Sequence, residues 1–197
     1  MRYDAEHKQR TREKVLRAAT KAIRADGPHR LGVADVMAKA GLTHGGFYAH
    51  FESKDDLIVA AIGQMFDDSR ARMQAETGER EPRQALSSYI DFYLSAKHRD
   101  ASTGCPLPTL AGDLPRLSKP ARACFSAGVN RLRGMLAEKL EAIGGLDNPA
   151  QAAGSMLAEL VGALSLARAE ADTALSDTIL ANSRHALKAR FGLEERA

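Results

Sequence analysis

Apolar residues recur at steps of three and four along most of this chain, a period that helices satisfy and strands do not. Leu16, Ala19 and Ile23 form one stripe, widened by Val15 and Ala22, until Gly27-Pro28 stops it. Val33, Val36, Met37 and Ala40 repeat the pattern in a short helix ended by Gly41, after which Leu42 turns inward. Ser53 caps the next helix, with Asp55 and Asp56 in its first turn, where carboxylates offset the positive dipole end; it runs to Gly78. Leu86, Ile90, Tyr93 and Leu94 mark a helix over 83–98. Phe125, Val129, Leu132, Leu136, Leu140 and Ile143 mark a long one from Ala121 to Ile143, broken by Gly144-Gly145. Two more helices, 149–170 and 173–190, follow. Between the helix over 83–98 and the one from Ala121, prolines 106, 108, 115 and 120 predict a loop region with one short helix near Thr109 to Gly112. There is no defensible strand pattern and no internal repeat.

Composition agrees. Hydrophobic residues make up 44% of the 197, enough for a packed core, while aromatics are only 5%. Alanine and leucine, which lose little on entering a helix, dominate the apolar set. The expected fold is all-α, with about nine helices. No apolar run approaches 18 residues and no signal-peptide pattern opens the chain, so a cytoplasmic protein with no membrane partner is expected. Two cysteines, Cys105 and Cys124, cannot make a disulfide framework or a four-ligand zinc site, and no cofactor or metal is expected.

The charge is unevenly spread. Residues 1–51 carry ten Lys/Arg and five Asp/Glu, a net +5, whereas 52–197 carry eighteen and twenty, a net −2. A basic first quarter points to an anionic partner for that part alone, or to a solvated basic helix face.

Within that quarter the stretch AGLTHGGFYAHF, Ala40 to Phe51, stands out. Two short helices joined by a tight glycine turn, with a longer helix before them, make a helix-turn-helix at about 32–51. Thr43 would open its second helix as N-cap, the hydroxyl accepting from backbone N–H groups. Phe47 and Phe51, four apart, share the face that must be buried. The opposite face, at Thr43, His44 and Gly46, is short or polar and can lie against DNA. Gly45 and Gly46 each cost about 1 kcal/mol of helix stability, which makes sense where backbone must approach a surface closely. Tyr48 and His50 flank the apolar face and can donate to phosphates, while Arg10 and Arg12 can neutralise others.

These residues carry a resemblance. GLTHGGFYAHFESKDDL is similar to the pattern of the TetR family of transcriptional repressors, falling on it at Gly41, Leu42, Thr43, Gly45, Tyr48, His50, Phe51, Lys54 and Leu57. The resemblance covers about 50 residues, from Thr11 to Leu57. It implies that Tyr48, His50 and Lys54 contact phosphates and that Thr43, His44 and Gly46 lie nearest the bases. The sequence departs from the pattern at Leu31, Gly32 and Ala34, which offer no side-chain donor, and at Gly46, where a small hydroxyl residue is common. His44 is therefore the one large polar group on the reading face.

The resemblance further implies an N-terminal three-helix DNA-binding domain, residues 1–56, and a C-terminal helical domain, 57–197, for ligand binding and dimerisation. Gly154, Ala158, Gly162 and Ser165 form a strip of small residues, with Met156, Leu157, Leu160, Val161 and Leu164 alongside. That strip can admit a second helix closely, either in a homodimer or within the chain; Ile179, Asn182 and Ala186 of the last helix would complete the interface. A dimer presents two reading helices to half-sites about 34 Å apart on a palindromic double-stranded DNA operator. Met65, Phe66, Tyr89, Phe92, Tyr93, Leu107, Leu110, Phe125 and Met135 are candidates for lining an effector pocket, or for plain core. Their mostly apolar character suits a small hydrophobic or aromatic small-molecule effector. Cys105, between Gly104 and Pro106, could open on that pocket and sense oxidants or electrophiles, while Cys124 falls in a core stripe.

The function expected is a DNA-binding transcriptional regulator, a repressor released by its effector. Cysteine-based sensing is an alternative, as is a helical-bundle interaction protein or enzyme without DNA binding. Catalytic signatures (H-E-x-x-H, G-x-S-x-G, a P-loop, G-x-G-x-x-G, C-x-x-C) are absent, so no enzyme is expected.

Overall fold

Glycines and serines divide the chain into helices in a computed structural model that describes residues 2–100 and 104–194, with side chains from residue 6. The described residues form nine α-helices and two 3-10 helices, without strands. In order they are α1 (Arg2–Asp26), α2 (Val33–Lys39), a 3-10 helix (His44–Ala49), α3 (Lys54–Thr77), α4 (Pro82–Tyr93) and α5 (Ala96–Asp100). There follow α6 (Pro106–Leu110), a second 3-10 helix (Leu114–Arg116), α7 (Lys119–Ile143), α8 (Pro149–Ala169) and α9 (Thr173–Arg190). The chain divides into two compact units, residues 1–68 with 105–128, and 69–104 with 129–197.

In the first unit α1 packs on α2, and α2 on the 3-10 helix His44–Ala49. Val15, Leu16, Ala19, Ile23, Val36 and Met37 are buried, as their spacing requires. Gly41 takes φ of 73°, a left-handed value that costs a side-chain-bearing residue about 1–2 kcal/mol. There its N–H donates to the Ala38 carbonyl and that of Leu42 to Met37, so two orphan carbonyls of α2 are satisfied. Ser53 Oγ accepts from the Asp56 N–H at 3.0 Å, and the Asp56 carboxylate accepts from the Glu52 N–H at 3.2 Å, which fixes the start of α3. Phe66 and Phe125 meet edge to face at 5.3 Å, and Gly128 leaves room for the Phe66 ring.

The second unit is built on α8 against α9, with α4 and α5 packed on that pair. Met156, Leu157, Leu160 and Leu164 are buried inside it, so these residues serve the chain's own core and do not flank an open strip. By length and mean hydropathy (1.3 over its most apolar window) α8 could cross a membrane, contrary to the expectation from uninterrupted runs. Its alanines and leucines raise that average. The four large apolar side chains above point into the unit, and Glu159 is paired with Arg190 of α9.

Three local expectations need correction. The second helix of the helix-turn-helix is a 3-10 helix of six residues, and Thr43 makes no side-chain cap. Two adjacent glycines remove the propensity that would extend it as an α-helix. The helix over 83–98 breaks after Tyr93: the Ser95 hydroxyl donates to the Phe92 carbonyl and accepts from the His98 N–H, and α5 starts anew. The proline region holds α6 and a 3-10 turn, with Pro106 and Pro115 near their starts, and not one helix at Thr109 to Gly112. Residues 101–103 of that region lie outside the described residues.

His98 secures the break. Its Nδ1 lies 2.8 Å from the Tyr93 carbonyl, and its ring stacks on Phe92 and meets the edge of Tyr93. Arg168 of α8 donates to the carbonyls of His98 and Arg99, each at 3.1 Å. Burial, with Arg168 and Arg72 behind it, pushes the His98 imidazole down from 6.5 to about 4. From pH 6.5 downward the unfolded chain takes up a proton that the folded chain refuses. Stability therefore falls as pH falls, until about 4, by about 1.4 kcal/mol per unit at most. Denaturant unfolding at pH 7 and pH 5 checks this: His98→Gln loses part of the pH dependence, whereas an unchanged dependence would assign it to other groups.

Candidate nucleic-acid interface

The 3-10 helix His44–Ala49, the reading segment, has one apolar side and one open side. Phe47 and Phe51 are 1% and 2% exposed, with ring centroids 5.7 Å apart and nearly parallel. The Phe51 N–H donates to the Phe47 carbonyl at 3.1 Å, a four-residue step that brings both rings to one side although the segment itself is 3-10. Thr43, His44 and Gly45 are exposed, Gly46 is half-buried, and nothing lies within 4 Å of where a Cβ on Gly45 would stand. Tyr48 is 70% exposed, its ring edge-on to Phe47 at 5.2 Å, so the hydroxyl projects from a fixed base.

The basic end of α1 lies beside this segment. The Arg12 guanidinium sits 4.8 Å over the Phe51 ring, a cation–π contact that holds the charge in place. The His50 Nδ1 is buried without a hydrogen-bond partner among the described residues. Burial, and then the nearby Lys8, Arg12 and His7, hold the His50 imidazole below the usual histidine range. Arg10 is exposed and pairs with Glu6 at 3.7 Å on its own helix. Lys54, the first residue of α3, reaches the His29 carbonyl at 3.5 Å with its ammonium still in solvent. The structure thus gathers Arg12, Phe51 and His50 and adds Lys8 and His7, which sequence reasoning passed over. The signal was available, since Lys8 precedes Arg12 by four residues and shares its helix face. Gly32 occupies the N-cap position of α2, which has no side-chain cap bond.

The other candidate residues sort as follows. Met65, Phe66, Cys105, Leu107, Leu110 and Phe125 are buried in the first unit. Tyr89 and Tyr93 are buried in the second, their rings 5.8 Å apart, and Phe92 and Met135 there are half-buried. Cys105 is 4% exposed and caps α6, and the Cys124 thiol donates to the Val59 carbonyl at 3.6 Å. On α8 and α9, Gly154, Gly162, Ser165 and Ile179 are half-exposed, while Ala158, Asn182 and Ala186 are exposed. Leu166 and Leu175 lie open to solvent on the same two helices. No group of three His, Cys, Asp or Glu that could hold a metal occurs among the described residues.

Known proteins match this geometry. The family model of bacterial regulatory proteins, tetR family, matches residues 15–61, which span the second half of α1, α2, the reading segment and the start of α3. The HTH-type transcriptional regulator LmrA of Bacillus subtilis is 26% identical over 77% of this chain and 82% of its own length. The HTH-type transcriptional regulator TtgR of Pseudomonas putida is 32% identical, over 42% of this chain and 40% of its own. Among solved structures, the reduced form of E. coli NemR superposes with a TM-score of 0.81 at 22% identity, over 91% of this chain and 95% of that one. A TetR transcriptional regulator from Chloroflexus aurantiacus gives 0.81 at 22%, over 95% and 96%. The helix-turn-helix, the basic flank and the matched residues agree: residues 15–61 form a DNA-binding domain like that of bacterial regulatory proteins of the tetR family, and the chain is a DNA-binding transcriptional regulator.

Proposed function

We propose that the protein is a repressor that binds a palindromic operator as a homodimer in the cytoplasm and leaves it when a small hydrophobic or aromatic effector binds. In this reading residues 1–56 bind DNA, and 57–197 bind effector and dimerise. The observation that carries it is the open face of the reading segment, held by two buried phenylalanines. Thr43 and His44 face the base edges, and Gly45 and Gly46 let the backbone sink toward them. Tyr48, His50, Arg12, Arg10 and Lys54 hold phosphates on either side. The small-residue strip, exposed at Ala158 and half-exposed at Gly154, Gly162 and Ser165, supports a second copy packed across α8 and α9. Release a hundredfold needs about 2.8 kcal/mol of differential effector binding between the two arrangements of the dimer.

Selection of bound duplexes from a random pool tests this directly, and enrichment of a palindrome is the expected outcome. On the selected duplex, Tyr48→Phe weakens binding about tenfold without changing the preferred sequence, since it removes one phosphate bond. His44→Ala relaxes the preference at one position of each half-site. Arg12→Gln lowers the slope of log affinity against log salt by about one. Ala158→Arg, which crowds the strip, yields monomers by sedimentation that no longer select palindromes; dimers of unchanged affinity would move the interface elsewhere.

A further inference from the structure

The reading segment and its flank use only part of the positive charge of the first 51 residues. Arg24 is spent on Asp68, at 3.1 Å. Of the rest, Lys14, Arg17, Lys21 and Lys39 line one groove of about 840 Å³ between α1 and the end of α2. They are exposed, and none makes an ion pair among the described residues. Asp26 is the one carboxylate in the described lining. On α1 the three cations stand at positions 14, 17 and 21, a row about 10 Å long.

Beside that row runs a second one. Ala18, Ala22 and Ala25, at steps of four and three, give the groove a floor of methyl groups, continued on α2 by Ala40. Phosphate oxygens gain nothing from methyl groups, because they are solvated by donors and repelled by apolar surface. A helix with one small apolar face and one acidic face gains from both rows. Its methyl groups can approach the alanine track at a close interaxial distance, of about 8 Å, and its carboxylates meet the cations on both rims. We infer that the α1–α2 groove is a docking site for an acidic amphipathic helix of a partner protein. No residue of the groove lies within the reading segment His44–Ala49.

The test uses the full chain and a fluorescein-labelled helical peptide with glutamates along one face and alanine and leucine along the other, followed by anisotropy at low salt. Its control is a scrambled peptide of equal charge that cannot form the two faces. The helical peptide should bind at least about tenfold more tightly than the control. Lys14→Glu with Lys21→Glu and Lys39→Glu should abolish that binding. Ala25→Trp, which fills the floor and leaves the charge alone, should weaken it at least about tenfold and leave affinity for a non-specific duplex unchanged. All four positions are exposed, and circular dichroism checks that each variant keeps its helices. Equal binding of the two peptides would overturn the proposal. So would a peptide affinity that ignores Ala25→Trp while falling with the charge reversals, the behaviour of a plain polyanion surface such as one for phosphate backbone.

Discussion

The contact between Phe47 and Phe51 is the one on which the rest of the site depends. Gly45 and Gly46 cost the segment about 2 kcal/mol together relative to alanine, and a six-residue helix cannot hold itself in water. Burial of two phenylalanine side chains contributes about 2–3 kcal/mol each, which exceeds that cost. The segment therefore exists because it is pinned from below. The same pinning frees its upper side from any structural duty, so that side can be bare backbone, a threonine and a histidine. Tyr48 stands on the Phe47 ring and Arg12 over the Phe51 ring, so groups suited to phosphate contact are placed by the pair that anchors the segment.

A similar economy holds in the second unit. The His98 ring terminates α4 and stacks on Phe92 while its backbone carbonyl accepts from Arg168 of α8, so one buried residue ties α4, α5 and α8 together. Arg99 next to it bonds Asp177 and Ser176 of α9, and Ser176 in turn donates to the Ala167 carbonyl. These bonds sit at the turn between α8 and α9.

Much of this was legible in the residues. Gly41 and Ser53 mark the ends of α2 and α3 because a left-handed turn and a hydroxyl cap each have few chemical solutions. Phe47 and Phe51 were readable as a buried pair because four residues of spacing suit one face. The 3-10 geometry was not readable, since periodicity does not separate a one-turn α-helix from a tight one when glycines carry the middle. Nor was the break at Leu94, where the apolar stripe runs on without interruption and only the Ser95 bonds and the His98 ring show that the helix has ended. Which face of α8 is spent inside the chain was likewise closed to sequence: Leu157 and Ala158 are neighbours, and only packing decides that the first is buried and the second open.

Hydrogen exchange on a Phe47→Leu variant, read alongside its affinity for duplex DNA, probes the anchoring claim most directly. Leucine keeps the site apolar but removes the ring that Phe51 and Tyr48 pack against. If the stacked pair holds the reading segment in place, amides of residues 44–51 lose protection, duplex affinity falls at least about tenfold, and amides of α8 exchange as before. A variant whose segment loosens in this way yet binds duplex DNA as tightly as the parent would contradict it.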